Sequence, residues 1–146
     1  MNAFLLTTKD ESILDFIVNN LIDAPEKNLS KKHLRTLLSD DRTSIFAVVL
    51  NAEVIGYALI YTFPSLYESK HLAYLYDIEV LERQRRKGAG KLLIEMVLKK
   101  LRESHVSELW LGTGIENTNG QAFFSSTGAV RSGEIFQEFT YVLAQH

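Results

Sequence analysis

The sequence contains no cysteine, and this absence excludes several kinds of chemistry at once. Disulfide bonds, thiolate zinc sites and a cysteine nucleophile are ruled out, so the sequence carries no mark of a redox compartment. Its longest uninterrupted apolar run, residues 45–50, is far shorter than the ~20 residues that a membrane span needs. The N-terminus also lacks the basic region and cleavage site of a secretory signal. We therefore expect a cytoplasmic protein without a membrane segment.

Proline and glycine are sparse as well, with two and eight residues among 146. No linker, repeat or low-complexity tract divides the chain, and 46% of its residues are apolar while 23% are charged. These values suit one globular domain, residues 1–146, with a core of its own. The four histidines show no paired metal-ligand spacing, so no metal site is expected. They are His33, His71, His105 and His146.

Hydrophobic periodicity predicts ten elements in the order β-α-α-β-β-β-α-β-α-β. The predicted strands are Ala3–Thr7, Ser44–Leu50, Val54–Phe63, Lys70–Val80, Ser107–Thr113 and Glu134–Leu143, with a short extra strand considered near Ala129 and Val130. The predicted helices are one opened by a capping box at Thr8–Glu11, one from about Ser30, Gly88–Ser104, and Asn117–Thr127 ended by Gly128. This order indicates an α+β fold built around a central mixed, twisted sheet with about four flanking helices.

Aromatic residues at strand spacing are expected to lie mostly in the core, with some lining an acceptor groove. They are Phe63, Tyr67, Tyr74, Tyr76, Phe136, Phe139 and Tyr141. Trp110 is expected to pack under the sheet.

Charge is distributed unevenly along the chain. Residues 1–80 carry eleven acids and seven bases, a net charge of −4, whereas residues 81–146 carry nine bases and seven acids, a net charge of +2. Five of those bases fall within residues 83–91, which contain no acid. This cluster suits a polyanion such as a phosphorylated cofactor, although a solvated loop would look the same.

The same stretch joins a predicted strand to a predicted helix through two glycines, Gly88 and Gly90. Glycine allows backbone amides to approach an anion closely, and the first-turn amides and dipole of a helix favour negative charge. The pattern therefore predicts a phosphate cradle. It matches neither the Walker loop nor the three-glycine dinucleotide fingerprint, so nucleotide hydrolysis and NAD binding are disfavoured.

The residues Arg85-x-x-Gly88-x-Gly90 resemble the Gln/Arg-x-x-Gly-x-Gly/Ala signature of the GNAT superfamily of acetyl-CoA-dependent N-acetyltransferases. Residues 117–129 resemble the family's later Asn-x-x-Ala helix, and the order of elements matches over nearly the whole chain. More narrowly, Tyr74–Val80 followed by Arg85–Gly88 resembles class I aminoglycoside 3-N-acetyltransferases. The resemblance implies a GNAT-like fold and acetyl-CoA as co-substrate, with no metal.

The resemblance also implies positions for the cofactor. The backbone of Ile78 and Val80 would pair with the pantetheine arm where the strands ending at Val80 and Thr113 splay apart. Backbone amides from Arg85 to Lys91 would hold the pyrophosphate, and Asn117 would touch the cofactor from the later helix. The full set is Ile78, Val80, Arg85, Arg86, Lys87, Gly88, Ala89, Gly90, Lys91, Asn117 and Phe124. Phe124 stands where the family often has a tyrosine that protonates the departing thiolate, and it has no hydroxyl to do so.

Asp77 and Glu79 are the candidate catalytic residues. Two apart on a strand, they share one face, away from Tyr76 and Ile78, unless a bulge intervenes. An amine must lose a proton to attack a thioester, and a carboxylate acting directly or through water can accept it. The alternative is structural, with either acid capping a sheet edge or pairing with a surface base.

The leading hypothesis is acetyl transfer to a primary amine of a small polycation, such as an aminoglycoside in antibiotic resistance, by direct attack in a ternary complex. Acetylation of protein or peptide N-termini or of other small amines is the alternative. A non-catalytic acetyl-CoA-binding module also stays open because of Phe124. Nucleic-acid binding through residues 83–91 is disfavoured because the chain is slightly acidic overall. The expected partner is thus a small amine, with neither nucleic acid nor membrane, and a homodimer stays open.

Overall fold

A computed structural model describes residues 1–23 and 29–144, which divide into two compact units, Met1–Leu111 and Gly112–His146. His146 itself lies outside the described residues. The first unit contains the strands β1 (Asn2–Leu5), β2 (Thr43–Leu50), β3 (Glu53–Pro64), β4 (His71–Val80) and β5 (Val106–Trp110). It also contains the helices α1 (Glu11–Asn20), α2 (Lys31–Ser39) and α3 (Ala89–Glu103), and the second unit contains α4 (Thr118–Ser126). The predicted α+β class, with a mixed sheet and four helices, is confirmed.

The five strands lie side by side in the order of the sequence. The first four pair antiparallel, and β5 pairs parallel to β4 because α3 carries the chain back across the sheet. Asn51 and Ala52 form the tight β2–β3 connection with φ values of 51° and 63°, the left-handed pair that a two-residue hairpin turn needs.

Helices cover both faces of the sheet. On one face, Leu14 and Ile17 of α1 and Leu34 of α2 pack in one cluster with Ala47 and Tyr57 of the sheet, all at most 3% exposed. On the other face, α3 contacts all five strands. The buried residues of α3 are Ala89, Leu93, Ile94, Val97 and Leu101. Their spacing of three and four residues is the amphipathic pattern that predicted this helix.

The predicted capping box at Thr8–Glu11 is wrong. Helix α1 begins at Glu11 with Asp10 at the N-cap, and no side chain caps it. The Asp10 carboxylate instead accepts hydrogen bonds from the backbone N–H and the hydroxyl of Thr7, at 2.7 and 3.2 Å. An acidic residue next to a turn can bond its own loop as readily as the helix, which the sequence pattern does not distinguish. The predicted start of α2 is confirmed, since Ser30 caps it through the His33 N–H.

In the second unit, α4 is capped by Asn117 and followed by Gly128 at φ 101°, as predicted. The predicted terminal strand Glu134–Leu143 and the short strand near Ala129 and Val130 are wrong, since residues 129–144 contain no strand. Alternating apolar residues become a strand only where the backbone finds a pairing partner. The large apolar side chains of this segment are 75–93% exposed: Val130, Ile135, Phe136, Phe139, Tyr141, Val142 and Leu143.

The expectation that the aromatics lie mostly in the core is also wrong. Phe63, Tyr67 and Tyr76 are 37%, 91% and 64% exposed, and Phe136, Phe139 and Tyr141 are among the exposed residues above. Trp110 is 49% exposed and is therefore not buried under the sheet. Strand spacing assigns a side chain to a face but does not tell whether a helix covers that face. No helix in the described ranges has the length and apolarity to cross a membrane.

Candidate active site

A bulge in β4 decides which way the candidate acids face. Leu59 of β3 pairs with Asp77 whereas Ile60 pairs with Leu75, so Tyr76 is an extra residue in β4. Leu59 packs against the cluster that α1 and α2 cover, so by alternation Ile60 and its partner Leu75 face the α3 side. Simple alternation along β4 would send Asp77 to the α3 side too. The extra residue reverses the alternation and places Asp77 on the opposite face. Asp77 therefore points away from the α3 side of the core.

Asp77 accepts a short hydrogen bond on this face. The Tyr57 hydroxyl, from β3, donates to Asp77 Oδ2 at 2.5 Å. Burial raises the pKa of Tyr57 well above its usual range, and the hydrogen bond to Asp77 and the charges of Asp77 and Glu79 add to the effect. Tyr57 therefore stays protonated and acts as a donor that orients the Asp77 carboxylate.

Glu79 lies on the same face and forms an ion pair with Arg85. Arg85 Nη2 lies 2.7 Å from Glu79 Oε1, and Arg85 Nε donates to the Val80 carbonyl at 3.0 Å. Both side chains are about half exposed, so the pair adds little stability. It does fix the loop after β4 to the end of that strand. The charge of Glu79 is thus partly balanced, whereas Asp77 faces a neutral hydroxyl.

Asp77, Glu79, Val80 and Arg85 line one cleft of about 450 Å³, together with Tyr57. Its carboxylates are Asp23, Asp77, Glu79 and Glu82. Arg85 is the one cation among the described lining residues, so these residues together carry a formal charge of −3. Such a cleft attracts cations, and more strongly when they carry several charges.

Beyond Tyr74, β4 has no strand partner on its β5 side among the described residues of the first unit, although the Val80 carbonyl accepts the hydrogen bond from Arg85. The β4–β5 ladder ends at the pair of Tyr74 with Trp110, although β4 continues to Val80. The Leu81 N–H donates to the Ile55 carbonyl of β3, so by antiparallel alternation the backbone groups of Ile78 and Val80 point to the other side. The ladder ends because β5 itself ends at Trp110, so the splaying expected between β4 and a strand ending at Thr113 stays a prediction. An extended chain carrying amide groups fits such an edge as an added strand.

The loop that follows has the geometry of an anion site. A single 3₁₀ turn, Glu82–Gln84, leads to Gly88, which caps α3 at φ 89° in the left-handed region that favours glycine. The first-turn amides of Ala89, Gly90 and Lys91 begin this helix and have no acceptor within it. They can therefore donate to phosphate oxygens at the positive end of the helix dipole. The donor set fits the diphosphate of a CoA molecule.

The cations of this loop divide into two groups. Arg83 pairs with Glu53, Arg85 pairs with Glu79, and Lys87 Nζ donates to the Gln84 side chain at 2.9 Å. Arg86 and Lys91 take part in no ion pair among the described residues. The acid-free run in the sequence thus overstates the local positive charge, because two acids outside the run, Glu53 and Glu79, pair with two of its arginines.

The remaining predicted cofactor contacts, Asn117 and Phe124, belong to the second unit. Asn117 Oδ1 accepts from the Gly120 N–H at 3.0 Å and Asn117 Nδ2 donates to Thr113 Oγ1 at 2.9 Å, so its amide group caps α4. The Phe124 ring lies edge-on to Phe123 at 5.2 Å. No cluster of three or more potential metal ligands occurs among the described residues.

Sequence reasoning missed Tyr57 and the pairing of Glu79 with Arg85. Tyr57 could have been found, since a tyrosine in the middle of a buried strand needs a partner for its hydroxyl. Tyr76 was expected on the sheet face opposite to that of Asp77. Its ring instead contacts the ring of Tyr61, which lies on the Asp77 face, with the two ring centroids 5.6 Å apart. That expectation fails because the bulge falls at Tyr76 itself.

Comparison with known proteins gives consistent results. The profile of the acetyltransferase (GNAT) family matches residues 13–129. An uncharacterized N-acetyltransferase of Archaeoglobus fulgidus is 28% identical over 99 residues, which are 66% of each chain. The match therefore spans slightly less than two thirds of that relative's length.

Solved structures share the fold at low sequence identity. An aminoglycoside acetyltransferase from an uncultured soil metagenomic sample, in complex with sisomicin, superposes with a TM-score of 0.86 at 23% identity over 98% of this chain and 96% of its own. A ribosomal-protein-alanine N-acetyltransferase of Brucella melitensis gives 0.73 at 18% identity, over 96% and 100%. An aminoglycoside N-acetyltransferase in complex with CoA gives 0.75 at 17% identity, over 97% and 100%.

Proposed function

The chain belongs to the GNAT family of acetyltransferases, and we propose that its acceptor is a primary amine of a small polycation, such as an aminoglycoside. The observation that carries this proposal is the cleft in which Asp77 lies, whose described lining residues include four carboxylates and together carry a formal charge of −3. A polycation gains from every one of these charges, whereas a protein N-terminus brings a single ammonium group. The fold shared with aminoglycoside acetyltransferases agrees with this acceptor but does not select it.

Acetyl-CoA supplies an activated acetyl thioester when bound. In our proposal, the first-turn amides of α3 and the side chains of Arg86 and Lys91 hold its diphosphate. The open edge of β4 at Ile78 and Val80 takes the pantetheine arm, which brings the acetyl end toward Asp77, near the bulge. Within the second unit, Asn117 and Phe124 stay proposed contacts on the basis of the family resemblance alone.

Asp77 acts as the general base in this proposal. Tyr57 holds one carboxylate oxygen at 2.5 Å, which leaves the other to accept the proton that the acceptor ammonium loses, directly or through a water. Glu79 contributes to acceptor binding rather than to proton transfer, because Arg85 already occupies its carboxylate. Phe124 has no hydroxyl with which to protonate the thiolate, so solvent or another group takes that role.

The test compares two matched amide substitutions, Asp77→Asn and Glu79→Gln, in a thiol-release assay over a panel of amines. We expect Asp77→Asn to lower kcat/KM for a polycationic acceptor by about 10² to 10⁴, the range for loss of a general base, with acetyl-CoA affinity unchanged. Glu79→Gln should act mainly on KM. Higher salt should raise the acceptor KM of the unsubstituted protein through screening.

Three results would contradict the proposal. If a neutral monoamine is the best acceptor, the proposal of a polycationic acceptor is refuted. Near-normal activity of both variants would make the acids structural. Acetyl-CoA binding without turnover of any amine would favour the non-catalytic module instead.

A further inference from the structure

Four aromatic side chains form a row across three strands of the first unit. Tyr61 of β3 pairs in register with Tyr74 of β4, and Tyr74 pairs with Trp110 of β5. The ring centroids are 4.2 Å apart for Tyr74 and Trp110, 6.2 Å for Tyr74 and Tyr76, and 5.6 Å for Tyr76 and Tyr61. We call Tyr61, Tyr74, Tyr76 and Trp110 the aromatic row.

The aromatic row lies on the same sheet face as Asp77. Tyr61 follows Tyr57 and Leu59 by alternation on β3, and Leu59 is the register partner of Asp77. Two members are open to solvent, since Tyr76 is 64% and Trp110 49% exposed. Burying an aromatic ring removes apolar surface from water, which is favourable, and an exposed ring gains this free energy only when a partner or ligand packs against it. The Tyr76 ring stands nearly perpendicular to the rings of Tyr61 and Tyr74, at 85° and 86°, and the Trp110 ring is tilted by 42° from that of Tyr74. The row therefore offers ring faces in several orientations beside the acidic cleft.

The dimensions and charge of this surface favour one kind of ligand. Neighbouring strands lie about 4.8 Å apart, so rings on three strands extend over roughly 10 Å, the scale of one or two saturated six-membered rings. Ammonium groups gain energy above aromatic faces. A cyclic amine is already rigid, whereas a linear polyamine loses rotational freedom when it binds.

We infer that the aromatic row binds the ring face of a cyclic, polycationic amine and so makes the enzyme prefer ring-bearing acceptors to linear polyamines. The inference rests on the proposed function, because it assigns this surface to the acceptor whose amine reaches Asp77. Tyr76 is the central member, since it contacts both other tyrosines and precedes Asp77 in the chain.

A binding experiment without acetyl-CoA tests the surface independently of turnover. Trp110 is the only tryptophan of the chain, so its emission reports on the aromatic row alone. Kanamycin A and spermine each carry four amines, but only kanamycin A is built of rings. We expect kanamycin A to shift the emission saturably to shorter wavelength, because its rings displace water from the indole, and spermine to bind more weakly.

Three variants separate the π surface from general effects. Tyr76→Leu keeps an apolar side chain but loses the ring, and we expect the kanamycin A Kd to rise roughly 3- to 30-fold while the spermine Kd changes less than about twofold. Tyr76→Phe should restore the affinity. Tyr67→Leu removes a tyrosine that is 91% exposed on the β3–β4 connection, and it should leave both Kd values unchanged.

The outcomes that overturn the inference are distinct from a failure of the proposed function. Equal weakening of both amines by Tyr76→Leu, or no weakening beyond that of Tyr67→Leu, would refute the aromatic row as a ring-binding surface. A halving of particle mass by light scattering in Tyr76→Leu would show that a second copy of the chain covers it. If no amine is acetylated while the emission titration behaves as expected, the proposed function fails and the binding surface stands.

Discussion

Replacing Gly56 with alanine should disturb the protein at a point where β3 has no room for a Cβ beside β4. Gly56 pairs with Val80, and a Cβ added to it would lie 2.7 Å from the backbone carbonyl oxygen of Glu79. It would also lie 3.0 Å from Val48 Cγ1 and 3.1 Å from Val80 Cγ2. The nearest obstacle is backbone, which cannot rotate away as a side chain could. The strand β4 must therefore move by roughly half an ångström or more near Glu79.

The expected cost follows from this overlap. Overpacking a well-filled core typically costs about 1–3 kcal/mol, and for a chain of this size each kcal/mol lowers Tm by about 2–4 °C. We expect Gly56→Ala to melt roughly 3–10 °C below the unsubstituted protein. The displaced segment carries Asp77, Glu79 and the open edge at Val80, so kcat/KM should also fall, by on the order of tenfold.

Gly114→Ala provides the control for this measurement. A Cβ at Gly114 has no neighbour within 4 Å, and its φ is not in the left-handed region. Both variants should be followed by thermal unfolding and by acetyl-CoA kinetics under identical conditions. If Gly56→Ala melts within about 1 °C of Gly114→Ala, the close approach of β3 and β4 at this point is refuted.

Three further predictions concern other parts of the first unit. Gly88→Val should lose acetyl-CoA affinity in a calorimetric titration because a β-branched residue is strained at φ 89°. Gly88→Asn should retain most of the affinity because asparagine tolerates that region. Equal affinities of the two variants would contradict a phosphate site at Gly88. Because the pKa of Tyr57 is raised above its unfolded value near 10, the stability that it contributes is complete below about pH 10 and declines as the pH rises further. Between pH 10 and 11, the free energy of unfolding should therefore fall less for Tyr57→Phe than for the unsubstituted protein. Chemical denaturation measures this free energy, and an equal fall for both proteins would contradict the prediction. Ala52→Gly should raise Tm by about 2 °C, because glycine adopts φ 63° without the strain of a Cβ; an unchanged or lower Tm would argue against that turn geometry.

Much of the fold follows from patterns within short stretches of sequence. The periodic apolar residues of α3, the Ser30 cap of α2 and the glycine after α4 are local signals, and each predicted its element within one or two residues. The terminal strand failed because a strand also needs a pairing partner, which no local pattern supplies. The prediction that Trp110 is buried failed for a similar reason, because whether a helix covers a strand residue depends on the whole fold and not on the local sequence.

The candidate site was predicted in part as well. The loop at Gly88 and the acids Asp77 and Glu79 were identified from motif and family resemblance, and the structure places both acids on one cleft. The partners of those acids were not identified. Tyr57 is 20 residues from Asp77 in sequence, and only the register of β3 against β4 brings the two together. Register depends on pairing across strands, and a bulge changes it without a clear sequence signal.

The bulge at Tyr76 adds one side chain to the Asp77 face of the sheet without changing the pairing on either side of it. Removing Tyr76 would leave Leu75 paired with Ile60 and Asp77 paired with Leu59, so both side chains would keep their present faces. A bulge-free pairing of Tyr76 with Leu59 would instead turn Asp77 toward α3, where its charge would be buried among apolar side chains. Substitutions at position 76 likewise leave the direction of Asp77 unchanged as long as Leu59 pairs with Asp77. We therefore expect a deletion of Tyr76 to leave Asp77 on the cleft face and to remove the central ring of the aromatic row.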